Sequence, residues 1–309
     1  MKTIFLTGAT GYIGGSVALK LLQSGYRVRG LVRSAESAKL IEQQGIEPVL
    51  GGLDDSVLLT QEARTSDGVI NTASADHQGA VRALIVGLEG SSKLLLHTSG
   101  SSVIGDDVRG SRKSEFIFNE DTPFVVAPDK QARHALDLEV LGSAEHGIRS
   151  AVICPSLIYG VGSGVNRHSV QIPFLARNAL AQGMVQLVGD GLNVWSNVHI
   201  DDVAALYVKV VERAPAGAFY FAESGEASFA DIGAALATRL HLHGVEALAP
   251  EIAAERWGRS KAYFSLGSNS RVRGLRARRE LGWSPGHTSV IDWILNDMPV
   301  DAESAPLQP

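Results

Sequence analysis

The sequence predicts an α/β protein in which a doubly wound parallel sheet precedes a smaller C-terminal part. Up to about Pro155, short apolar segments alternate with amphipathic ones, which is the order of strands and helices in such a sheet. A glycine-rich turn follows the first apolar segment at once, and beyond Gly160 the pattern becomes mixed. The later residues therefore predict a separate part that packs beside the sheet.

The first element is a short apolar strand from Lys2 to Thr7, followed by the turn Thr7-Gly8-Ala9-Thr10-Gly11-Tyr12-Ile13-Gly14. Apolar residues then recur every four positions from Ile13 to Leu21, which predicts a helix with one buried face. Strand, glycine turn and helix in this order are the dinucleotide-binding start of a Rossmann-type sheet.

Each glycine of this turn has a predicted role. Gly8 permits the tight turn, Gly11 lets the backbone approach a pyrophosphate, and Gly14 lets the helix pack close to the strand. Free N–H groups at the helix start, together with the helix dipole, favour the diphosphate. The residues predicted to bind the cofactor here are Thr7, Gly8, Thr10, Gly11, Tyr12, Ile13 and Gly14.

The second strand, Arg27 to Arg33, ends where dinucleotide folds select between NAD and NADP. An acidic residue there would bind a ribose 2′-hydroxyl, but this chain has Arg33 followed by Ser34. A guanidinium–phosphate fork contributes about 1.5–3 kcal/mol, roughly a 10- to 100-fold preference. We therefore expect NADP, with Arg33 and Ser34 at its 2′-phosphate; a merely solvated arginine is the alternative.

The next segments continue the alternation of strands and helices. Predicted strands are Val69–Thr72, Lys93–Thr98 and Ser150–Ile153, and predicted helices are Ser56–Arg64, Gln78–Glu89 and Asp129–Glu145. The connection from Gly100 to Pro128 has no clear period and is long, and such loops are often functional.

Several motifs stand in the order in which one known family has them. They are Asn71-Thr72-Ala73-Ser74, Leu94 to Gly105, Pro155-Ser156-Leu157-Ile158-Tyr159-Gly160, His199-Ile200-Asp201-Asp202-Val203 and Leu281-Gly282-Trp283-Ser284-Pro285. With the glycine turn, they make the chain resemble the extended short-chain dehydrogenase/reductase family, in its epimerase/dehydratase-like branch. The resemblance runs from Thr7 to about Pro285.

This resemblance implies further cofactor contacts. The loop after the fourth strand would lie behind the cofactor, and the loop that starts at Pro155 would pack against the nicotinamide. The cofactor residues implied are Leu53, Thr72, Ala73, Ser74, Thr98, Pro155, Leu157 and Ile158. The adenine-side pattern departs from the family, because Gly52 stands where an aspartate is usual.

The catalytic residues that the resemblance implies are not found at their positions. The family pairs a serine or threonine with a tyrosine and, four residues later, a lysine. The serine position falls on Gly100, and no tyrosine occurs between Arg27 and Ile158.

Two alignments of the tyrosine–lysine pair remain open. Spacing from the serine loop places the pair at Val126 and Lys130. Spacing from the downstream Gly147 places it at Asp129 and Arg133. Neither alignment supplies a tyrosine.

Five side chains are candidate substitutes for the missing acid. Ser99 and Ser101 could polarise a carbonyl or relay a proton, or satisfy their own strand end. Lys130 and His134 lie at the start of the helix that normally holds the lysine; His134 could act as an acid, and Lys130 or Arg133 could hold ribose hydroxyls. A solvated helix face is the alternative for these. Tyr159 could be the acid, or pack beside the nicotinamide.

Other polar residues are predicted to line the substrate pocket. They are Ser102, Asn166, His168, Trp195 and His199. No metal site is expected, because His199-x-Asp201-Asp202 has no further ligand cluster beside it, and the aspartates are better placed to cap the following helix. The arginines between Arg271 and Arg279 are expected on a solvated face, with anionic substrate binding second.

Length and composition set the remaining expectations. The chain has 309 residues, 45% of them hydrophobic, and a net charge of −5, which disfavours nucleic-acid binding. A single cysteine, Cys154, and the lack of a long apolar run favour a cytoplasmic protein without a membrane span. A small-molecule substrate is the expected partner, and a homodimer the expected assembly if the chain associates.

The predicted domain division follows from the element order. Residues 1–160 form the Rossmann domain, to which 199–213 return, and 161–198 with 214–298 form the substrate-binding part. Residues 299–309 are expected to be a tail.

Three functions are consistent with these observations. The favoured hypothesis is an NADP-dependent oxidoreductase of atypical mechanism that transfers hydride between NADPH and a carbonyl or imine of a small organic substrate. The alternatives are a non-catalytic NADP-binding sensor or scaffold, and a sugar-nucleotide epimerase or dehydratase.

Overall fold

The structure, a computed structural model, describes residues 1–300. Twelve strands and eleven α-helices follow one another along this part of the chain. The strands are β1 Thr3–Thr7, β2 Arg27–Val32, β3 Glu47–Leu50, β4 Gly68–Asn71, β5 Leu94–Thr98, β6 Arg149–Pro155, β7 Leu157–Tyr159, β8 Val185–Val188, β9 Val194–His199, β10 Ala218–Ala222, β11 Gly225–Ser228 and β12 Val245–Leu248. The helices are α1 Tyr12–Gln23, α2 Ala35–Glu42, α3 Ser56–Thr65, α4 Gln78–Leu88, α5 Gln131–Gly142, α6 Gln171–Gln182, α7 Ile200–Arg213, α8 Phe229–Arg239, α9 Pro250–Trp257, α10 Leu275–Leu281 and α11 Val290–Asn296.

Seven parallel strands form the central sheet in the order β10-β6-β5-β4-β1-β2-β3. Strands β4 and β5 are buried along their whole length, as expected where helices cover both faces of a parallel sheet. Helices α1 and α7 pack on one face, and α3, α4 and α5 on the other. The predicted Rossmann-type doubly wound fold is confirmed.

The strand order reverses between β1 and β4. The chain runs outward from β1 to β3 and then returns to place β4 on the other side of β1. In open α/β sheets, ligands bind outside the carboxyl ends of the strands at this switch point. Thr7 and Asn71 end the two strands there and are register partners.

A second core lies beside the sheet. It contains the three-stranded sheet β11-β9-β7, the pair β12-β8, and helices α6, α8, α9 and α11. Helix α7, which covers most of residues 199–213, packs on α1 of the large sheet.

The predicted boundary at residue 214 is wrong for two elements, although the division into domains stays a prediction. Strand β10 is hydrogen-bonded to β6 in the large sheet, and α10 packs on β10 and α7. The sequence of β10 has the apolar run of a buried strand, but its parallel partner lies far away along the chain. Of the predicted tail, residues 301–309 lie outside the described residues.

No helix within residues 1–300 is long and apolar enough to span a membrane.

Candidate active site

The glycine turn at the switch point has no room for side chains. A Cβ atom on Gly14 would lie 2.1 Å from the carbonyl oxygen of Gly8 and 2.5 Å from Thr72 Oγ1. Gly8 has a φ of +78°, in the left-handed region that favours glycine. No side chain caps the start of α1 at Gly11, so N–H groups there are free to bind an anion. These residues fit the diphosphate of a dinucleotide.

Tyr12 connects this turn to the loop after β7. Its hydroxyl lies 3.0 Å from the carbonyl oxygen of Tyr159 and 2.9 Å from that of Gly160, so its one proton is shared between them. The N–H of Asn166 donates to the carbonyl of Thr10 at 3.1 Å, and the Oδ1 of Asn166 accepts from the N–H of His168. Tyr12 and Asn166 therefore hold the loop against the turn.

Arg33 is exposed directly after β2 and forms no ion pair with any residue among 1–300. Ser34 Oγ accepts a 3.1 Å hydrogen bond from the N–H of Ser37 and caps α2. Leu53 is half-buried against the core beneath α3 and α4, and a Cβ atom on Gly52 would meet nothing within 4 Å. Arg33 is thus exposed at the carboxyl end of β2, without an ion pair in the described part of the chain.

A buried polar network runs from β1 to α5 under this edge. Thr7 Oγ1 donates to Asn71 Oδ1 at 2.6 Å, and Asn71 Nδ2 lies 3.0 Å from His97 Nδ1. His97 Nε2 lies 3.6 Å from Asp137 Oδ1, and Ser99 Oγ donates to Asp137 Oδ2 at 2.6 Å. The network therefore joins three neighbouring strands to α5.

The protonation of this network follows from its donors. An amide nitrogen can only donate, so His97 accepts at Nδ1 and carries its proton on Nε2, facing Asp137. Burial, together with the nearby Arg133, lowers the pKa of His97 to about 4, so the ring is neutral at physiological pH. Burial raises the pKa of Asp137 to about 7 against the opposing effects of Ser99 and Arg133.

The three candidate serines after β5 differ in their burial. Ser99 is buried and donates to Asp137, while Ser101 is buried with Ser270 Oγ 2.7 Å from its own Oγ. Ser102 is half-buried and accepts a 3.2 Å hydrogen bond from Arg133 Nη1. Ser99 and Ser101 are therefore engaged inside the protein, and Ser102 is the more exposed of the three and lies beside Arg133.

Arg133 is the cation at the predicted serine position. Its Nε and Nη2 atoms donate to the two carboxylate oxygens of Asp76 at 2.8 and 2.6 Å. Among residues 1–300 other than the two that adjoin it, a Cβ atom on Gly100 would have only Arg133 Nη1 within 4 Å, at 3.5 Å. The glycine thus leaves space beside the guanidinium for a small polar group.

Lys130 and His134 flank Arg133 on the two sides of the helix start. Lys130 Nζ lies 5.4 Å from the ring centroid of Phe264, and burial followed by Arg133 lowers the pKa of the amine. His134 packs against Phe124 with ring centroids 5.3 Å apart, and burial lowers its pKa. Both side chains stay candidates, and Lys130 lies nearer the second core.

Tyr159 does not face the sheet. Along β7, Ile158 packs into the core of the large sheet, whereas Leu157 and Tyr159 pack into the second core. The Tyr159 ring contacts His199 and Trp293, and its buried hydroxyl has no hydrogen-bond partner within residues 1–300. Burial also raises its pKa, so the prediction of Tyr159 as the acid is not supported by its position.

Two residues predicted to line the substrate pocket instead form hydrogen bonds within the protein. Trp195 is buried, and its Nε1 donates to the carbonyl of Ser268 at 2.7 Å. His199 accepts from the N–H of Asp201 at Nδ1 and caps α7. His168 lies on the loop before α6, and burial lowers its pKa.

His199, Asp201 and His287 form the one cluster of possible metal ligands within residues 1–300. His199 Nδ1 already caps α7, and the positive end of that helix dipole disfavours a cation. The imidazole rings of His199 and His287 stack with centroids 3.9 Å apart. We assign no metal to this cluster, and the expectation of no metal stays a prediction.

Sequence reasoning missed Asp76, His97 and Asp137 as site residues. A signal for Asp137 exists in the helix pattern, because it follows Leu136 and precedes Val140 by three positions, which places a carboxylate on the apolar face. Asp76 and His97 have no such signal, since their partners lie on other elements.

Comparison with known proteins agrees with this geometry. A sequence profile described as the NAD dependent epimerase/dehydratase family matches residues 4–220. The chain belongs to this family. Its members are NAD(P)-dependent enzymes, and so is this protein.

Individual relatives cover nearly the whole chain. The Acremonium protein named oxidase ucsJ is 34% identical over 92% of this chain and 93% of its own. A ketoreductase of Stigmatella aurantiaca, named for a farnesylated dihydroquinoline oxide, is 25% identical over 92% of both chains. The solved structure of DesIV, a dTDP-glucose 4,6-dehydratase from Streptomyces venezuelae with NAD and TYD bound, has a TM-score of 0.76 at 21% identity, covering 95% and 94% of the two chains. The last likeness shows the fold alone.

Proposed function

We propose that this protein is an NADP-dependent oxidoreductase that reduces a carbonyl or imine of a small organic substrate. The single observation that carries the proposal is the space at Gly100, where, apart from the two adjoining residues, Arg133 Nη1 is the only atom of residues 1–300 within 4 Å of a would-be Cβ atom. This space lies after β5, one strand away from the switch point. The names of the relatives from Acremonium and Stigmatella, an oxidase and a ketoreductase, support the same class of reaction.

The choice of NADP rests on Arg33. An exposed guanidinium without an ion pair in the described part of the chain is available for a bidentate bond to a 2′-phosphate. The nearest acidic residue along the chain, Glu36, lies in the first turn of α2. NADPH, when bound, supplies the hydride, and the protein must orient the substrate and move a proton.

Arg133 is the proposed electrophilic group. Its Nη1 donates to Ser102 Oγ and keeps a second N–H, which can donate to a carbonyl oxygen in the space at Gly100. A fixed N–H donor aimed at the oxygen that becomes an alkoxide stabilises the transition state. The ion pair with Asp76 fixes the plane of the guanidinium, so the donor is in place before the substrate binds.

Lys130 is the proposed proton donor. Its amine has no hydrogen-bond partner within residues 1–300, and burial together with Arg133 lowers its pKa toward the range in which a general acid is effective. Its proton would pass to the substrate oxygen as hydride reaches the carbon. Because a general acid must be protonated, activity would fall as pH rises through the pKa of Lys130.

A non-catalytic NADP-binding protein, the first alternative from the sequence, is disfavoured because the chain belongs to a family of enzymes. The tyrosines near the sheet are engaged within the protein: Tyr12 binds two backbone carbonyls, Tyr207 bonds to Thr98, and Tyr159 packs in the second core. Thr98, predicted to contact the cofactor, is thereby engaged with a buried hydroxyl. Sugar-nucleotide epimerisation or dehydration also relies on a tyrosine and is the least favoured function.

Titration with NADPH followed by a substrate screen tests the proposal. NADPH fluorescence reports binding, and NADPH oxidation is then measured with ketones, aldehydes and cyclic imines. Binding together with turnover of one of these classes supports the oxidoreductase. Tight binding with no oxidation in any of these classes would overturn the proposed reduction of a carbonyl or imine.

A further inference from the structure

Asp137 is a buried carboxylate that the proposed reaction does not use directly. It is 1% exposed and lies one helical turn after Arg133 on α5. Its Oδ2 accepts a hydrogen bond from the hydroxyl of Ser99. Its Oδ1 lies 3.6 Å from His97 Nε2, which is too far for a hydrogen bond. The carboxylate therefore joins the end of β5 to the helix that carries Arg133.

The charged and titratable groups around Asp137 come from four elements. His97 on β5 is neutral, and Cys154 on β6 keeps its thiol proton because burial raises its pKa. Arg133 on α5 favours the ionised carboxylate, while Asp76 in the loop after β4 opposes it. Arg133, one helical turn earlier on α5 and without an ion pair to Asp137, is thus the one cation of the described residues that favours the ionised carboxylate.

The negative charge of ionised Asp137 is unfavourable in its buried environment. Burial raises the pKa of Asp137 to about 7, so ionisation above neutrality costs folding free energy. An asparagine of the same shape could accept from His97 Nε2–H with its Oδ1 and donate from its Nδ2 to Ser99 Oγ, without that cost. Carboxylates kept at such a cost beside a cleft are candidates for a functional role.

We propose that Asp137 is a positioning residue whose ionised carboxylate holds Arg133 over Gly100, so that activity depends on the ionisation of a group that never touches the substrate. The inference rests on the proposed function of Arg133. Deprotonation of Asp137 places a negative charge one helical turn after Arg133 on α5. This charge adds to that of Asp76, which pairs with the guanidinium directly. Protonation of Asp137 removes its negative charge and leaves Asp76 as the one carboxylate of the described residues that orients the guanidinium.

Steady-state kinetics across the pH range provide the first test. NADPH oxidation by 9,10-phenanthrenequinone is measured from about pH 5.5 to about pH 9 for the unchanged protein, Asp137→Asn, Ser99→Ala and the control Glu139→Gln. Glu139 lies on the same helix but pairs with Arg82 at the surface. We expect kcat of the unchanged protein to rise through neutrality, because Asp137 becomes ionised.

Each variant has its own expected profile. In Asp137→Asn the rise of kcat through neutral pH, which is the acid limb of the profile, should be absent. At higher pH, kcat should be roughly 10- to 100-fold lower than in the unchanged protein, with KM for NADPH nearly unchanged. Ser99→Ala removes a hydrogen bond to the ionised form and shifts the limb to higher pH. Glu139→Gln keeps the original profile. An unchanged limb in both Asp137→Asn and Ser99→Ala overturns the proposal.

A thermodynamic cycle decides the question even if no carbonyl is reduced, in which case the proposed function fails on its own. Tm is measured above neutral pH for Arg133→Gln in the unchanged and in the Asp137→Asn background. If Asp137 holds Arg133, the arginine substitution lowers Tm more in the unchanged background. Equal losses in the two backgrounds overturn the coupling.

Discussion

Ser99 Oγ donates a 2.6 Å hydrogen bond to Asp137 Oδ2, and both side chains are buried. This bond places one of the two serines next to Gly100 inside the protein. It also joins the end of β5 to the helix that carries Arg133. The chemistry proposed at Gly100 would therefore depend on a network that no single motif contains.

The raised pKa of the Asp137 carboxyl predicts that the stability of the fold decreases as pH rises toward neutrality. The carboxyl has a reference pKa of 3.8 and a pKa of about 7 in the folded protein, so between these values the folded state binds more protons. The stability that it contributes consequently falls as pH rises through this window. Asp137→Asn removes this loss, and its Tm advantage over the unchanged protein should grow from about pH 5 to about pH 8 in calorimetric scans. A Tm for the variant that is lower at the upper end of the range would contradict the burial of an ionised carboxylate.

Arg33→Asp should reverse the cofactor preference. An aspartate repels the 2′-phosphate of NADP and can accept a hydrogen bond from the 2′-hydroxyl of NAD. We expect the ratio of the Kd values for NADH and NADPH to change by roughly 10- to 100-fold toward NADH. Arg27→Gln, at the opposite end of the same strand, should leave the ratio unchanged. An unaltered ratio in Arg33→Asp would show that this arginine does not bind the phosphate.

Gly14→Ala should abolish NADPH binding. The new methyl group would lie 2.1 Å from the carbonyl oxygen of Gly8, so the turn must open and lose the geometry that suits a diphosphate. Gly79→Ala is the matched control, because a Cβ there would make only ordinary contacts with His77. NADPH fluorescence and circular dichroism are measured together. Normal NADPH affinity in Gly14→Ala would exclude this turn as the binding site.

Tyr159→Phe should keep full activity and at least the original stability. The hydroxyl of Tyr159 is buried without a partner within residues 1–300, so its removal relieves an unsatisfied group. Tyr207→Phe removes a hydroxyl that lies 2.6 Å from Thr98 Oγ1 and should cost about 1 kcal/mol of unfolding free energy. Urea denaturation and NADPH oxidation measure both effects. A large loss of kcat in a stable Tyr159→Phe would restore this tyrosine as the acid.

The parts of the fold that were predictable from the sequence are those encoded locally. The strand, glycine turn and helix from Thr3 to Gln23 have their periodicity and their turn residues within one short segment. The start of α5 differed slightly from its prediction, because a short 3₁₀ turn, Pro128–Lys130, precedes the helix.

The contacts of the site could not be predicted because they join residues that are distant along the chain. Ser101 is bonded by Ser270, which lies in the C-terminal half. Side chains alternate between the two faces of β7, and each face packs into a different hydrophobic core. The alternation of the sequence does not show which core Tyr159 enters. The placement of β10 depended in the same way on its parallel pairing with β6.

The most direct test of the account compares the unchanged protein with Arg133→Met. NADPH affinity is measured by fluorescence, and kcat by NADPH oxidation with a carbonyl substrate found in the screen. Loss of the N–H donor at Gly100 should lower kcat by roughly 10²- to 10³-fold while the Kd for NADPH changes little. A variant that binds NADPH and retains the original kcat would contradict the proposed role of Arg133, and with it the proposed site of carbonyl reduction.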